Sequence, residues 1–394
     1  MFLDVTMRRN PNLMKAAFEL HQEGKISPDT YVLDLDAIII NAKKIKSEAD
    51  NYGVKLYFMT KQFGRNPYVA NELMKLGYDG AVAVDFREAE ALGEAGVKLG
   101  HVGHLVQIPS NRIEGILMKR PEVITVYSYE KARDISKAAR RLGINQKLML
   151  RVLDYNDILY PAQYGGFYLE ILEQEAGRIM ELPNIGIHGI TSFPCFLYDE
   201  ESRQIKETRN INTVLKAKDI LEKKLSIKLG QVNLPSATCV SSIKEIAKFG
   251  GTHGEPGHGL LGTTPFHAAK DEEEIPAVVY VSEVSHNLDN HGYIYGGGHY
   301  RRSHMKEALI GSSFEASNKF TLSEMDSQSI DYYLTFNGNS KIGSTAVLAF
   351  RTQIFVTRSE VAVIKGVKAG KPELIGIYSS LGKSIRRDAK WAGL

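Results

Sequence analysis

The sequence is poor in the features that mark several large classes of protein. Among 394 residues there are two cysteines, Cys195 and Cys239, too few for a disulfide framework. No stretch approaches about 18 uninterrupted apolar residues, so no bilayer-spanning helix is expected. The N-terminal MFLDVTMRRNPNLMK has no long apolar run ahead of a small-residue cleavage site, so no secretory signal is expected. Neither charge sign dominates: 49 basic residues face 46 acidic ones, a formal net charge of +3. That balance gives no reason to expect a nucleic-acid or membrane partner. Solenoid repeats and low-complexity tracts are also missing. The expectation is a cytoplasmic protein whose 43% hydrophobic residues suffice for a substantial core.

What is present is a regular alternation. A helix is expected over 12–23, where Leu13, Ala16, Ala17 and Leu20 share a face. YVLDL (31–35) reads as a strand and 38–49 as a helix. Eight further short runs read as strands: 55–60, 80–85, 101–106, 123–128, 147–153, 185–193, 231–236 and 250–255, the last polar and glycine-rich. Helices between them include 87–96, stopped by Gly96, and the long run 202–225. Such alternation implies a parallel sheet covered by helices, and eight repeats imply closure into an α/β fold of the (β/α)8 TIM-barrel type. After about residue 270 the texture becomes β-branched and aromatic, from VVYVSEV to ELIGIYSS. That predicts a C-terminal, mostly antiparallel β domain. The expected division is a barrel over 30–270 and a β domain over 271–394 joined by residues 1–35.

In such a barrel, functional side chains gather at the C-terminal strand ends, here Lys61, Asp85, Gln107, Arg151, Ser192, Ser236 and Glu255. Lys61 follows the apolar LYFMT, where desolvation lowers a lysine's pKa and makes it a Schiff-base nucleophile. The same position also suits a lysine that snorkels to solvent. Glu255 lies in HGEPGHG, whose glycines let backbone N–H groups approach an anion, although a plain Pro–Gly turn has the same sequence. Arg151 interrupts the apolar LMLRVLD and needs either an acidic partner or an anionic ligand. Together these residues suit a phosphorylated aldehyde. The aldehyde would sit on Lys61, the phosphate on Ser236 and the backbone of Gly257 and His258, and a ring nitrogen on Glu255.

The series resembles the fold-type III pyridoxal 5'-phosphate enzymes, the alanine racemase-like group that includes ornithine and diaminopimelate decarboxylases. The resemblance is carried, in order, by LDLDAIIINAKKI (33–45), Lys61, REAEALGEAG (87–96), LRV (150–152), NLPSAT (233–238) and EPGH (255–258). The whole chain is most similar to the YhfX-like branch. The resemblance implies a covalently held pyridoxal 5'-phosphate, an amino-acid substrate and a head-to-tail homodimer with active sites at the subunit interface. It carries the cofactor-binding role to Lys61, Arg151, Ser236, Glu255, Gly257, His258 and Tyr378, and to His188 as the stacking residue, with Ser192 the other candidate for that place. No metal is expected.

Three departures matter. Racemases place an arginine opposite the pyridine nitrogen, where Glu255 stands here; the decarboxylases use a glutamate. A glutamate keeps that nitrogen protonated and stabilises a full quinonoid carbanion. Arg65 stands where racemases have a tyrosine four residues after the lysine, so a usual phosphate ligand is replaced. The decarboxylases' cysteine–aspartate pair has no clear counterpart in the C-terminal domain.

Racemisation needs an acid/base on each face of the carbanion. Lys61 serves one. HGYIYGGGHYRRSH (291–304) offers the other, with Tyr295 and His299 as the catalytic candidates and Arg301 and Arg302 for a substrate carboxylate. A glycine-rich turn with solvated basic residues is the competing reading. Gly257, Gly259 and Gly262 match GxGxxG but lack a βαβ unit around them. His101 with His104, and His253 with His258, lack the spacing and third ligand of a zinc site. The expected function is an isomerase, an amino-acid racemase or epimerase acting at Cα. Decarboxylation or a D-amino-acid lyase or dehydratase reaction is the alternative, and a non-catalytic pyridoxal-phosphate homeostasis protein is the reading outside enzymes.

Overall fold

The computed structural model describes residues 2–385, which fall into two compact units. Of the described residues, one unit holds 2–42, Lys61–Asn66 and 258–385; the other holds Lys43–Thr60 and Pro67–Gly257. In the second unit eight parallel strands close into a barrel: Lys55–Met59, Gly80–Ala83, Leu99–Val102, Val123–Val126, Gln146–Leu153, Ile185–Thr191, Gln231–Asn233 and His253–Gly254. Closure is completed by the shortest of them. In the eighth strand His253 is in register with Asn233 of the seventh and Lys55 of the first.

Local sequence explains where strands stop. The third strand ends at Val102 instead of continuing to 106, because Gly103 turns in the left-handed region at φ 81° against the Thr125 carbonyl. Asp85 does not face a site: its carboxylate accepts from the Glu88 amide and caps the helix Phe86–Glu94. The stretch expected as one helix over 202–225 begins instead with a hairpin, Phe196–Asp199 paired with Gln204–Glu207. Asp199 organises its turn by accepting from Ser202 and Lys206, and the helix starts only at Arg209.

The other unit is a sheet in the order Ser317–Thr321, Glu307–Gly311, Thr345–Leu348, Val278–Leu288, Thr30–Asp34, Glu360–Lys365, Glu373–Ser379. The early strand Thr30–Asp34 is antiparallel to Val278–Leu288 and parallel to Glu360–Lys365. Helix Pro11–Gln22 lays Leu13, Met14, Ala17 and Phe18 against Val32, Val279, Val347 and Ala362. STAVLAFRTQIFVT is not one strand: it leaves the sheet after Leu348 and forms a 3₁₀ turn at Ile354–Val356. Among the described residues no helix is long and apolar enough to cross a membrane.

Candidate active site

Inside the barrel unit the C-terminal strand ends converge on Glu255, which directly follows the eighth strand and is 3% exposed. Its Oε1 accepts two hydrogen bonds, from His101 Nδ1 at 2.6 Å and from Asn233 Nδ2 at 2.6 Å. Its backbone N–H donates to the Thr238 hydroxyl at 3.1 Å. His101 Nε2 in turn contacts the Thr125 hydroxyl, and His104 Nε2 stands 3.7 Å from Oε2. Burial alone would push this carboxyl up. The neighbouring His104 and His101 and the bonds from His101 and Asn233 outweigh burial and bring it down to about 2. Glu255 is therefore a carboxylate, and its Oε2 has no hydrogen-bond partner among the described residues.

Arg151, on the fifth strand, is 1% exposed. It donates to the Tyr127 hydroxyl at 2.9 Å and to the Gln163 carbonyl at 2.7 Å, with the Tyr127 ring 5.0 Å beneath the guanidinium. Tyr127 donates onward to the His104 carbonyl at 2.7 Å. Its phenol is raised by burial, against the pull of the Arg151 charge. Arg151 Nε is a buried donor with no hydrogen-bond partner. Among the described residues no ion pair places a carboxylate on Arg151. Of its two expected destinies, acidic partner or anionic ligand, the first is not met. The barrel thus carries one unpartnered buried acceptor on Glu255 and one unpartnered buried donor on Arg151.

His188 is a correction. It lies at the midpoint of the sixth strand, with its ring against Gly230 just before the seventh strand begins. Its pKa is lowered by burial and then by Lys147, and Lys55 and Glu122 also act on it. Those three stand at the starts of strands or just ahead of them, so His188 belongs to the N-terminal end of the barrel, away from Glu255. Ser192 does lie at the C-terminal end, buried, accepting from Asn210 Nδ2 at 3.1 Å. The Ser236 hydroxyl donates to the Phe196 carbonyl, so a donation to phosphate requires it to rotate. Ser236 and Ala237 sit consecutively at φ 95° and 51°, a strained pair that gives this loop its shape. Gly257 follows Pro256, whose carbonyl accepts from the Met59 amide at 2.8 Å.

The remaining expected residues lie in the other unit. Lys61 opens the 3₁₀ turn Lys61–Phe63, two residues beyond the first barrel strand. His258 is held at both ring nitrogens. Nδ1 meets the Thr263 hydroxyl at 3.0 Å, and Nε2 accepts from Arg351 Nε at 3.1 Å and from Gln353 at 3.2 Å. Its pKa is driven far down by burial and by the Arg351 and Lys61 charges, so the imidazole is neutral. Arg65, at φ 53°, stacks over the Phe355 ring at 5.1 Å. His299 donates its backbone N–H to Asp331 at 3.4 Å, and burial lowers its pKa. Tyr295 is exposed beside Tyr333, with ring centroids 5.8 Å apart. Tyr378 is half-buried on the strand Glu373–Ser379.

Sequence reasoning missed the companions of the two charges: His101, Thr125 and Asn233 for Glu255, and Tyr127 for Arg151. His101 and His104 were weighed there only as a zinc pair. With Glu255 they do form a buried set of metal-type ligands, whose donor atoms lie within 4.8 Å of one another. The signal lay in strand ends: each companion stands at or next to the last residues of a barrel strand.

A family model described as alanine racemase, N-terminal domain, matches residues 33–265, and one described as YhfX-like, C-terminal domain, matches 279–374. The Escherichia coli (strain K12) protein YhfX is 44% identical over 386 residues, covering 98% of this chain and 100% of the relative. Among solved structures, alanine racemase from Clostridium difficile 630 superposes with a TM-score of 0.64 at 17% identity, covering 90% of this chain and 99% of that one. Diaminopimelate decarboxylase from M. jannaschi does so with 0.65 at 14%, covering 93% of each. At these identities the structural likeness is one of fold.

Proposed function

Because the chain belongs to the alanine racemase N-terminal domain family and carries the YhfX-like C-terminal domain, we propose that it is a pyridoxal 5'-phosphate enzyme acting at Cα of an amino acid, a racemase or epimerase. The family is one of pyridoxal 5'-phosphate-dependent enzymes. The observation that carries the reading is the complementary pair in the barrel: an ionised Glu255 with one unpartnered oxygen, and Arg151 with one unpartnered N–H. A pyridoxal ring offers the matching groups, a ring N–H and a phenolic oxygen. The residues therefore fit the cofactor.

When bound, the cofactor supplies an electron sink conjugated to Cα, deepened by a protonated ring nitrogen. Lys61 would hold its aldehyde and move the Cα proton on one face. Glu255 would keep the ring nitrogen protonated, and Arg151 would face the phenolic oxygen. Gly257, His258, Ser236 and Tyr378 would bind the phosphate, the His258 ring acting through Arg351, which it orients. Tyr295 or His299, contributed by a second copy of the chain, would move the proton on the other face. His299 suits that role, since burial leaves its imidazole neutral and able to accept a proton. Decarboxylation is disfavoured because both cysteines precede residue 258, leaving the C-terminal domain without one.

Borohydride reduction followed by peptide mass spectrometry tests the anchor. A pyridoxyl adduct on Lys61 is expected, and an adduct elsewhere or none at all would end the reading. Deuterium uptake at Cα across a panel of amino acids tests the reaction. Release of CO₂ without exchange would make it a decarboxylase, and bound cofactor with neither outcome would make it a carrier.

A further inference from the structure

Glu255 owes its two best hydrogen bonds to residues on other strands, and both reach the same oxygen. His101 comes from the third strand and Asn233 from the seventh, and each donates to Oε1 at 2.6 Å. The His101 ring is itself fixed from behind by Thr125 of the fourth strand. We propose that His101 is a positioning residue for the cofactor's ring: with Asn233 it secures Oε1 of Glu255 and leaves Oε2 as the oxygen that accepts the ring N–H. The inference rests on the pyridoxal-phosphate reading above and goes further by assigning a role to a residue outside the family motifs.

A carboxyl this buried takes up a proton unless donors hold it ionised. A protonated Glu255 would offer an O–H where the ring needs an acceptor. The groups around it that can set its charge are His101, His104 and Asn233, with His253 and Cys195 close enough to feel it. Of these, His101 alone bridges Glu255 to a second strand, Nδ1 on the carboxylate and Nε2 on Thr125. The same ligand types would suit a metal ion. Two ligands on one tetrahedral zinc sit roughly 3.3 Å apart, given bonds of about 2.0 Å. The 2.6 Å contact between His101 and Glu255 is shorter and is that of a shared proton.

The test uses the protein loaded with pyridoxal phosphate labelled with ¹⁵N in the ring, and reads the ring nitrogen by NMR. Wild type is expected to show a protonated nitrogen, His101→Phe a deprotonated one, and His101→Asn, whose amide takes the place of Nδ1–H, a return to the protonated state. Thr125→Val serves as a second variant that leaves the imidazole in place and shifts the signal part of the way. A readout without cofactor runs in parallel. Glu255 folds with its pKa below the ordinary 4.5, so its stabilising contribution is present above that pH and fades as pH falls towards 2. The melting-temperature deficit of His101→Phe should therefore shrink over that window. A ring nitrogen still protonated in His101→Phe overturns the inference alone. No cofactor uptake by wild type removes the functional reading and the inference with it. A stoichiometric divalent metal that purifies with wild type and is lost from His101→Phe replaces the proposal with a metal site.

Discussion

Glu255 and His253 stand two positions apart and titrate for opposite reasons. Glu255 is held charged by donors, so Glu255→Gln keeps the shape and removes the charge. Its expected effect is a fall in kcat/KM of roughly 10²–10³, the scale of losing one preorganised electrostatic group, while the Lys61 adduct still forms. Loss of the adduct as well would mean that Glu255 acts in binding. The Glu122 and Glu255 carboxylates favour a charged His253, but burial outweighs them. Its ring lies 5.0 Å from that of Tyr57, and burial, then the Lys55 charge, lowers it to about 4 from 6.5. Between those values the unfolded chain takes the proton and the folded one does not. Stability is complete above pH 6.5 and falls as pH drops to 4, by on the order of 3 kcal/mol at most. Replacing His253 by Leu should flatten the acid-side decline of Tm relative to wild type in that window. An unchanged slope would show that the ring stays wet.

At the scale of elements, the barrel interior depends on alternating large and small side chains. Gly100 of the third strand faces Tyr57 of the first, and a Cβ at Gly100 would sit 2.2 Å from that ring. Tyr57 cannot yield freely, because Gln231 of the seventh strand donates to its hydroxyl at 2.8 Å. Gly100→Ala is expected to cost about 1–3 kcal/mol by overpacking, measured by urea unfolding, and Tyr57→Leu in the same chain should recover most of it. An additive double variant would show that the two do not share the space. Strand existence was legible from apolar runs, because burial on both faces demands them. Strand ends were less so. Gly103 redirects the chain where a side chain would run against the Thr125 carbonyl of the next strand, a neighbour that its local sequence does not reveal; Asp199 does so through a turn that it closes with Ser202 and Lys206 of the same hairpin, hidden within what reads as one helical run.

For the whole molecule, the proposal that each site draws its second acid/base from another copy of the chain is open to complementation. Lys61→Ala and a double Tyr295→Phe, His299→Ala variant should each be inactive. Mixed, unfolded and refolded together, they should regain about a quarter of wild-type activity, since half the dimers are then mixed and each has one intact site. No recovery would place both groups on one chain. What the sequence by itself determined was the alternation that makes a closed β/α barrel, the β-rich C-terminal domain, and the candidate residues at strand ends: Lys61, Arg151 and Glu255. Those follow from local pattern, because periodicity and strand-end position are written along the chain. Only the tertiary structure decided which side chains complete the charges. His101, Asn233 and Glu255 are 132 and 22 residues apart in the chain (101 to 233, 233 to 255) and meet only because the barrel closes. His188 has the right residue type and strand but the wrong height, since the stagger between neighbouring strands, which no single strand encodes, sets the level at which each side chain enters the barrel.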